Sequence, residues 1–149
     1  MHVARAWHCA VACGHHVYVM GGADNAQRYL SSVERCSVHD GKWLPCAPMT
    51  TTRYGFAAVA LDGFIYCIGG YDGETWLPSV ERYSPDRCCP APLTPFFVTC
   101  LHGSDSWECV ASMSVAREGC CAAAVGDSIF VMGGQNGTDG YLRSCERYE

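Results

Sequence analysis

The sequence predicts an all-β chain built from short strands in repeated units. The prediction rests on a glycine doublet, an arginine and a Glu-Arg pair that recur in one register. The doublets are Gly21-Gly22, Gly69-Gly70 and Gly133-Gly134, each closing a short apolar run such as Phe64-Ile65-Tyr66-Cys67-Ile68. Arg5, Arg53 and Arg117 each stand 16 residues before the first glycine of a doublet and four after a methionine, Met1, Met49 or Met113. Glu34, Glu81 and Glu146 follow that glycine at 12 or 13 residues, and Trp43 and Trp107 sit 10 residues before the next arginine. Self-similarity at a period of about 20–50 residues is the mark of a repeat architecture.

Four strands are expected in each period. The first is small and apolar throughout, as in 56–61 and 120–125. A continuous apolar run of strand length fits a strand buried on both faces, and small side chains suit crowding near a central axis. Asp62-Gly63 supplies the two-residue hairpin turn that follows, and Gly126-Asp127 a looser version of it. The second strand is the segment ending in the doublet, where glycine permits positive φ and close approach of another backbone. The third carries Val-Glu-Arg, with Tyr83 in the second repeat. The fourth is centred on the tryptophan, whose large apolar area with a polar tip suits packing one sheet on the next. Four strands repeated at nearly 50 residues describe the blade of a β-propeller.

The motifs Ile65-Tyr66-x-Ile68-Gly69-Gly70-Tyr71-Asp72-Gly73, Ser79-Val80-Glu81-Arg82-Tyr83 and Trp107-x5-Met113 resemble kelch repeats. More narrowly they are similar to those of BTB–Kelch proteins, the substrate adaptors of cullin-type ubiquitin ligases. The expected fold is therefore a partial kelch β-propeller of two four-stranded blades plus three strands of a third. The repeats fall at 1–48, 49–112 and 113–149, the last incomplete. A propeller needs about 4–8 blades, so the 149 residues read as a piece of a larger array or a truncated isoform, with Met1 in the slot of an internal methionine.

One segment breaks the register. Glu34 to Trp43 spans 9 residues and Glu81 to Trp107 spans 26. Removing 88–104 restores the 9, and those 17 residues hold no Asp, Glu, Lys or Arg but three prolines, three cysteines and Phe96-Phe97. They read as a splice-derived insertion into the turn between third and fourth strands.

Composition excludes several function classes. A net charge of −5 and a pI near 5.6 argue against general nucleic-acid binding, and no apolar run is long enough for a membrane helix. A secretory signal is not expected, because the repeat itself accounts for the apolar start. Twelve cysteines would ordinarily suggest a disulfide framework. Cys9 and Cys121 instead align with Ala57, Cys67 with Val19 and Val131, Cys36 with Tyr83, and Cys145 with Val33 and Val80. They are read as small buried hydrophobes in a reduced, cytoplasmic protein. No cysteine or histidine group has zinc spacing and no nucleophile–base pair is visible, so no metal, cofactor or enzyme activity is expected.

The loops after the doublets differ most between repeats, and variable loops on a constant scaffold are the usual design of a binding surface. Tyrosine, tryptophan and arginine are common interface anchors. Arg28, Tyr29, Tyr71, Asp72, Trp76, Gln135, Asn136 and Tyr141 are therefore the candidate partner-binding residues, against the reading of exposed turns with stacked aromatics. The resemblance implies that these loops, with those around the Met-x3-Arg turn, line the substrate-binding face. Tyr71 matches the family's Gly-Gly-Tyr position, while Ala23 and Gln135 depart from it. The implied function is non-catalytic recognition of a protein partner or degron peptide, with no direct cullin contact because BTB segments are absent. An actin-binding kelch protein and a non-functional isoform are the alternatives. The recurring Glu34, Glu81 and Glu146 are read as structural partners of Arg5, Arg53 and Arg117 between blades.

Overall fold

Residues 1–85 and 105–148 are described by the structure, a computed structural model, and the insertion expected at 88–104 lies outside them. Strands β1 (Cys9–Cys13), β2 (His16–Met20), β3 (Val33–Ser37) and β4 (Trp43–Cys46) form one four-stranded antiparallel sheet in that order. Strands β5 (Ala57–Leu61), β6 (Phe64–Ile68), β7 (Val80–Ser84) and β8 (Ser106–Val110) repeat it. In the third unit β9 (Cys121–Val125), β10 (Ser128–Met132) and β13 (Cys145–Tyr148) form a three-stranded sheet; β11 (Gln135–Asn136) and β12 (Gly140–Tyr141) make a small ribbon above it. The partial propeller expected from the repeat is the observed fold.

The turn chemistry follows the sequence. Leu61 pairs with Phe64 across Asp62 and Gly63, both at positive φ (52° and 80°), the backbone a tight hairpin requires. Val125 pairs with Ser128 across Gly126-Asp127, where only the glycine has positive φ, so this turn is as short but of another type. In the outer pairs Trp43 stands opposite Cys36 and Trp107 opposite Tyr83. Outer-strand pairing in the second blade thus keeps the first blade's register despite the longer connection.

Two cores lie between the three sheets, and strand alternation decides which residue serves which. Ile65 and Cys67 of β6 face the first sheet, joining Tyr18, Met20, Val33, Met49, Phe56 and Tyr83. Ile68 faces the third, with Ala57, Val80, Met113, Cys120, Ile129 and Val131. Tyr18 and Tyr83 meet edge-to-face at 5.7 Å across the first of these cores. Trp107 reaches back to donate from Nε1 to the carbonyl of Ala47 at 2.8 Å, tying the second blade's outer strand to the end of the first.

Two expectations about burial need correction. The first strands are not buried on both faces: β5 is mostly half-buried, and β1 and β9 carry exposed residues. Each is the edge strand of its sheet, and the three lie side by side, so their free edges follow an open inner rim. The cysteines in core register also diverge. Cys67 is wholly buried, whereas Cys121 and Cys145 are exposed because no further sheet covers the third blade among the described residues.

The arginine–glutamate pairs form, but within each repeat rather than between blades. Arg53 Nη2 lies 3.0 Å from Glu81 Oε1, both side chains wholly buried, and Arg5–Glu34 and Arg117–Glu146 repeat the contact at 3.0 Å. The link between blades comes from the same arginine's backbone. Arg53 N donates to Leu30 O and its carbonyl accepts from Gly22 N, both in the first blade. The glutamate in turn grips the incoming connection, since Glu81 accepts from Thr50 N, Thr50 Oγ1 and Thr51 N at 2.7, 2.6 and 3.1 Å.

These contacts set an acid limit. Burial alone would push the Glu34 carboxyl up, but donors from His2, Val3 and Arg5 outweigh it and hold it at about 2. Glu81 and Glu146 are also lowered, burial being outweighed by Thr50 and Arg53 in one and by Ser114 and Arg117 in the other. Folded values below the unfolded value of about 4.3 mean stability that is complete above about pH 5 and lost as pH falls toward 2. Urea midpoints should therefore be level from about pH 7 to 5 and decline steeply below about 4. Glu34→Gln should lower the pH 7 midpoint and flatten that decline.

Candidate functional site

The loops after the doublets lie with the residues that follow Arg5, Arg53 and Arg117. In each repeat the residue after the arginine pairs with the residue after the doublet, which pairs with an aromatic further along the loop. The three sets are Ala6–Ala23–Tyr29, Tyr54–Tyr71–Trp76 and Glu118–Gln135–Tyr141. The following residue, Asp24, Asp72 or Asn136, folds its own loop. Asp72 Oδ1 accepts from the backbone of Glu74 and Thr75 at 2.8 and 2.7 Å, and Asn136 Oδ1 from Thr138 and Asp139 at 3.0 and 2.6 Å. Asp24 does the same and also pairs with the Arg28 guanidinium at 2.6 Å. Short polar side chains that bond backbone a few residues on are the usual makers of such turns.

The aromatic slot then links neighbouring loops. Tyr29 lies over Gly73 of the second loop and Trp76 over Gly137 of the third, so closely that a β-carbon there would come within 2.9 and 2.4 Å of the rings. Tyr141 has no following loop beneath it among the described residues and is 91% exposed. Rings run unbroken across the first two blades: Trp7–Tyr54 at 5.7 Å, Tyr54–Tyr29 at 5.5 Å, Tyr29–Tyr71 at 5.9 Å and Tyr71–Trp76 at 5.3 Å.

Two adjoining clefts open on this face. One, of about 440 Å³, is walled by Trp7, Tyr29, Tyr54, Tyr71 and Trp76, with Asp24 and Glu118 at its edges. The other, of about 380 Å³, lies between Trp7, Tyr54, Glu118, Gln135 and Tyr141. The candidates Tyr29, Tyr71, Trp76, Gln135 and Tyr141 are thus brought together. Asn136 borders a separate depression beside Trp76. Arg28 and Asp72 line neither of the first two clefts, and the ionic and polar groups of both are engaged inside their own loops.

Sequence reading did not single out Trp7, Tyr54 or Glu118. The available signal was their place just after the recurrent arginine, where the side chain changes from repeat to repeat. Trp7 is the most unusual. It holds φ of 55° in the slot occupied by Gly55 at 60° and Gly119 at 65°, and its side chain stands out with 67% exposure. A left-handed backbone costs an ordinary residue about 1–2 kcal/mol.

A family model described as Kelch motif matches residues 4–50, 52–114 and 116–149. Kelch-like protein 33 of Homo sapiens is 32% identical over 144 residues, covering 94% of this chain and 24% of the relative. Kelch-like protein 35 of Mus musculus is 31% identical over 124 residues, covering 83% of this chain and 18% of the relative. The chain therefore spans about a quarter or less of the length of these curated relatives. The solved structure of YjhT has a TM-score of 0.74 at 12% identity over 97% of this chain and 42% of that one, a likeness of fold.

Proposed function

The chain belongs to the Kelch-motif family, and from that premise we propose that it is a non-catalytic protein-interaction module. Its loop face holds a partner peptide between the aromatic side chains, with no bond made or broken. In a longer protein this face is the substrate-recognition surface of a cullin-dependent ubiquitin-ligase adaptor working in the cytoplasm. The thiols of Cys9, Cys67 and Cys120, packed in or against the cores and pushed up by burial, support a reducing setting.

Trp7 carries the reading. A bulky, exposed side chain in a glycine slot costs folding energy without filling a core, and strain of this kind concentrates at ligand clamps. Trp7→Gly should therefore raise unfolding free energy by about 1 kcal/mol while weakening binding. The probes are peptides selected from a random display library against the 149-residue chain. Loss of an aromatic anchor should lower their affinity about tenfold or more, as should Tyr71→Ala. A purely structural Trp7 would give the reverse: lower stability and unchanged peptide affinity, which would reject the reading.

A further inference from the structure

We propose that the paired clefts take an arginine side chain of the bound peptide, with Glu118 as its counter-ion and Trp7, Tyr54 and Tyr71 as its walls. The inference rests on the loop-face reading above and names its ligand class. Trp7, Tyr54 and Glu118 border both clefts and so mark where they meet. Glu118 is firmly placed. Its backbone exchanges hydrogen bonds of 2.9 and 2.8 Å with Gln135, and its Cγ lies over Gly55, where a β-carbon would come within 3.0 Å. Its Oε2 accepts from Trp76 Nε1 at 3.1 Å.

Charge decides the occupant. Of the two carboxylates that line the clefts, Asp24 is paired with Arg28, whereas Glu118 makes no ion pair among the described residues. Arg28, the cation nearest in sequence to the first loop's aromatic, is committed to Asp24. The negative field is felt locally: burial and then the Glu118 carboxylate push the Tyr54 phenol up. Aromatic faces attract cations through their quadrupole, so walls and edge favour the same sign of charge. An acidic peptide would meet a carboxylate with no cation to answer it. Arginine suits the site better than lysine, because a planar guanidinium stacks on rings while it forks to a carboxylate.

The test uses the display-selected peptides on the intact chain and measures affinity by calorimetry. Arginine should be enriched at one position. Replacing it by lysine should weaken binding several-fold, and by citrulline, its neutral isostere, about tenfold. Glu118→Gln keeps an acceptor for Trp76 Nε1 and removes only the charge. It should give the same tenfold loss, and no further loss with the citrulline peptide. Glu118→Lys should turn selection toward Asp and Glu. Peptides that need Trp7 yet bind equally well with citrulline, or to Glu118→Gln, would overturn the arginine assignment and leave the loop-face reading standing. Peptides indifferent to Trp7→Gly and Tyr71→Ala would overturn both.

Discussion

Arg53→Ala is expected to remove about 3–5 kcal/mol of unfolding free energy, the cost of leaving a buried partner charge uncompensated. Arg53 and Glu81 are both wholly buried, and the guanidinium has five N–H donors to satisfy. Nη1 donates to Gly69 O and Ser79 O at 2.7 and 3.0 Å, Nη2 to Ser79 Oγ and Glu81 Oε1 at 2.9 and 3.0 Å, and Nε to Glu81 Oε1 at 3.2 Å. Truncation takes the arginine donor from Gly69 O, leaves Ser79 O with Gly69 N alone, and leaves the buried Glu81 charge with Thr50 and Thr51 as donors but no cation. Arg117→Ala should cost less, because the Glu146 side chain is 21% exposed and water can solvate what is left behind. Removing both charges is the discriminating control. Arg53→Met with Glu81→Gln should recover part of the loss, since no charge is left buried and the glutamine keeps an acceptor for Thr50 and Thr51. Urea unfolding of the variants reads all of these. Equal losses for Arg53→Ala and Arg117→Ala would mean that burial of the pair is not what sets its cost.

The parts legible in the sequence are those a one-dimensional register can carry. The four strands of each full blade and the Asp62-Gly63 turn follow from spacing and turn chemistry. Contacts between repeats are another matter. Arg and Glu recur once in every repeat, so spacing cannot say whether Arg53 meets its own Glu81 or a neighbour's. Only the fold shows that the side chain stays at home and the backbone crosses over. Tyr29 on Gly73 and Trp76 on Gly137 join loops of different length, which no alignment of repeats brings into line. Asp72 is a candidate by its place in a variable loop, but its carboxylate is spent on that loop's own backbone. Cys145 shares a register with buried Val33 and Val80 yet is exposed, because burial depends on which sheet lies alongside. Trp7 was visible as a tryptophan but not as an outlier, since its strain is a property of φ.

Gly69→Ala should cost about 3 kcal/mol or more, against about 1–2 kcal/mol for Gly133→Ala. The two glycines hold the same place in their repeats, with φ of 68° and 65°, so the conformational penalty of a β-carbon is common to both. Their surroundings differ. A β-carbon at Gly69 would sit 2.5 Å from the carbonyl oxygen of Arg117, which accepts from Gly70 N at 2.6 Å. That oxygen is backbone and cannot swing away without opening the junction between second and third blades. Met113, whose terminal methyl would be 3.1 Å off, would be displaced from the core it fills there. At Gly133 the nearest atom is the Leu142 carbonyl oxygen at 3.7 Å, an ordinary contact. The difference between the two variants thus isolates the steric term at the junction. Hydrogen exchange should place the damage of Gly69→Ala at the amides of Gly70 and Arg117, and that of Gly133→Ala within the third blade alone. Equal losses would mean that the doublet is kept for positive φ and not for the approach of the neighbouring blade.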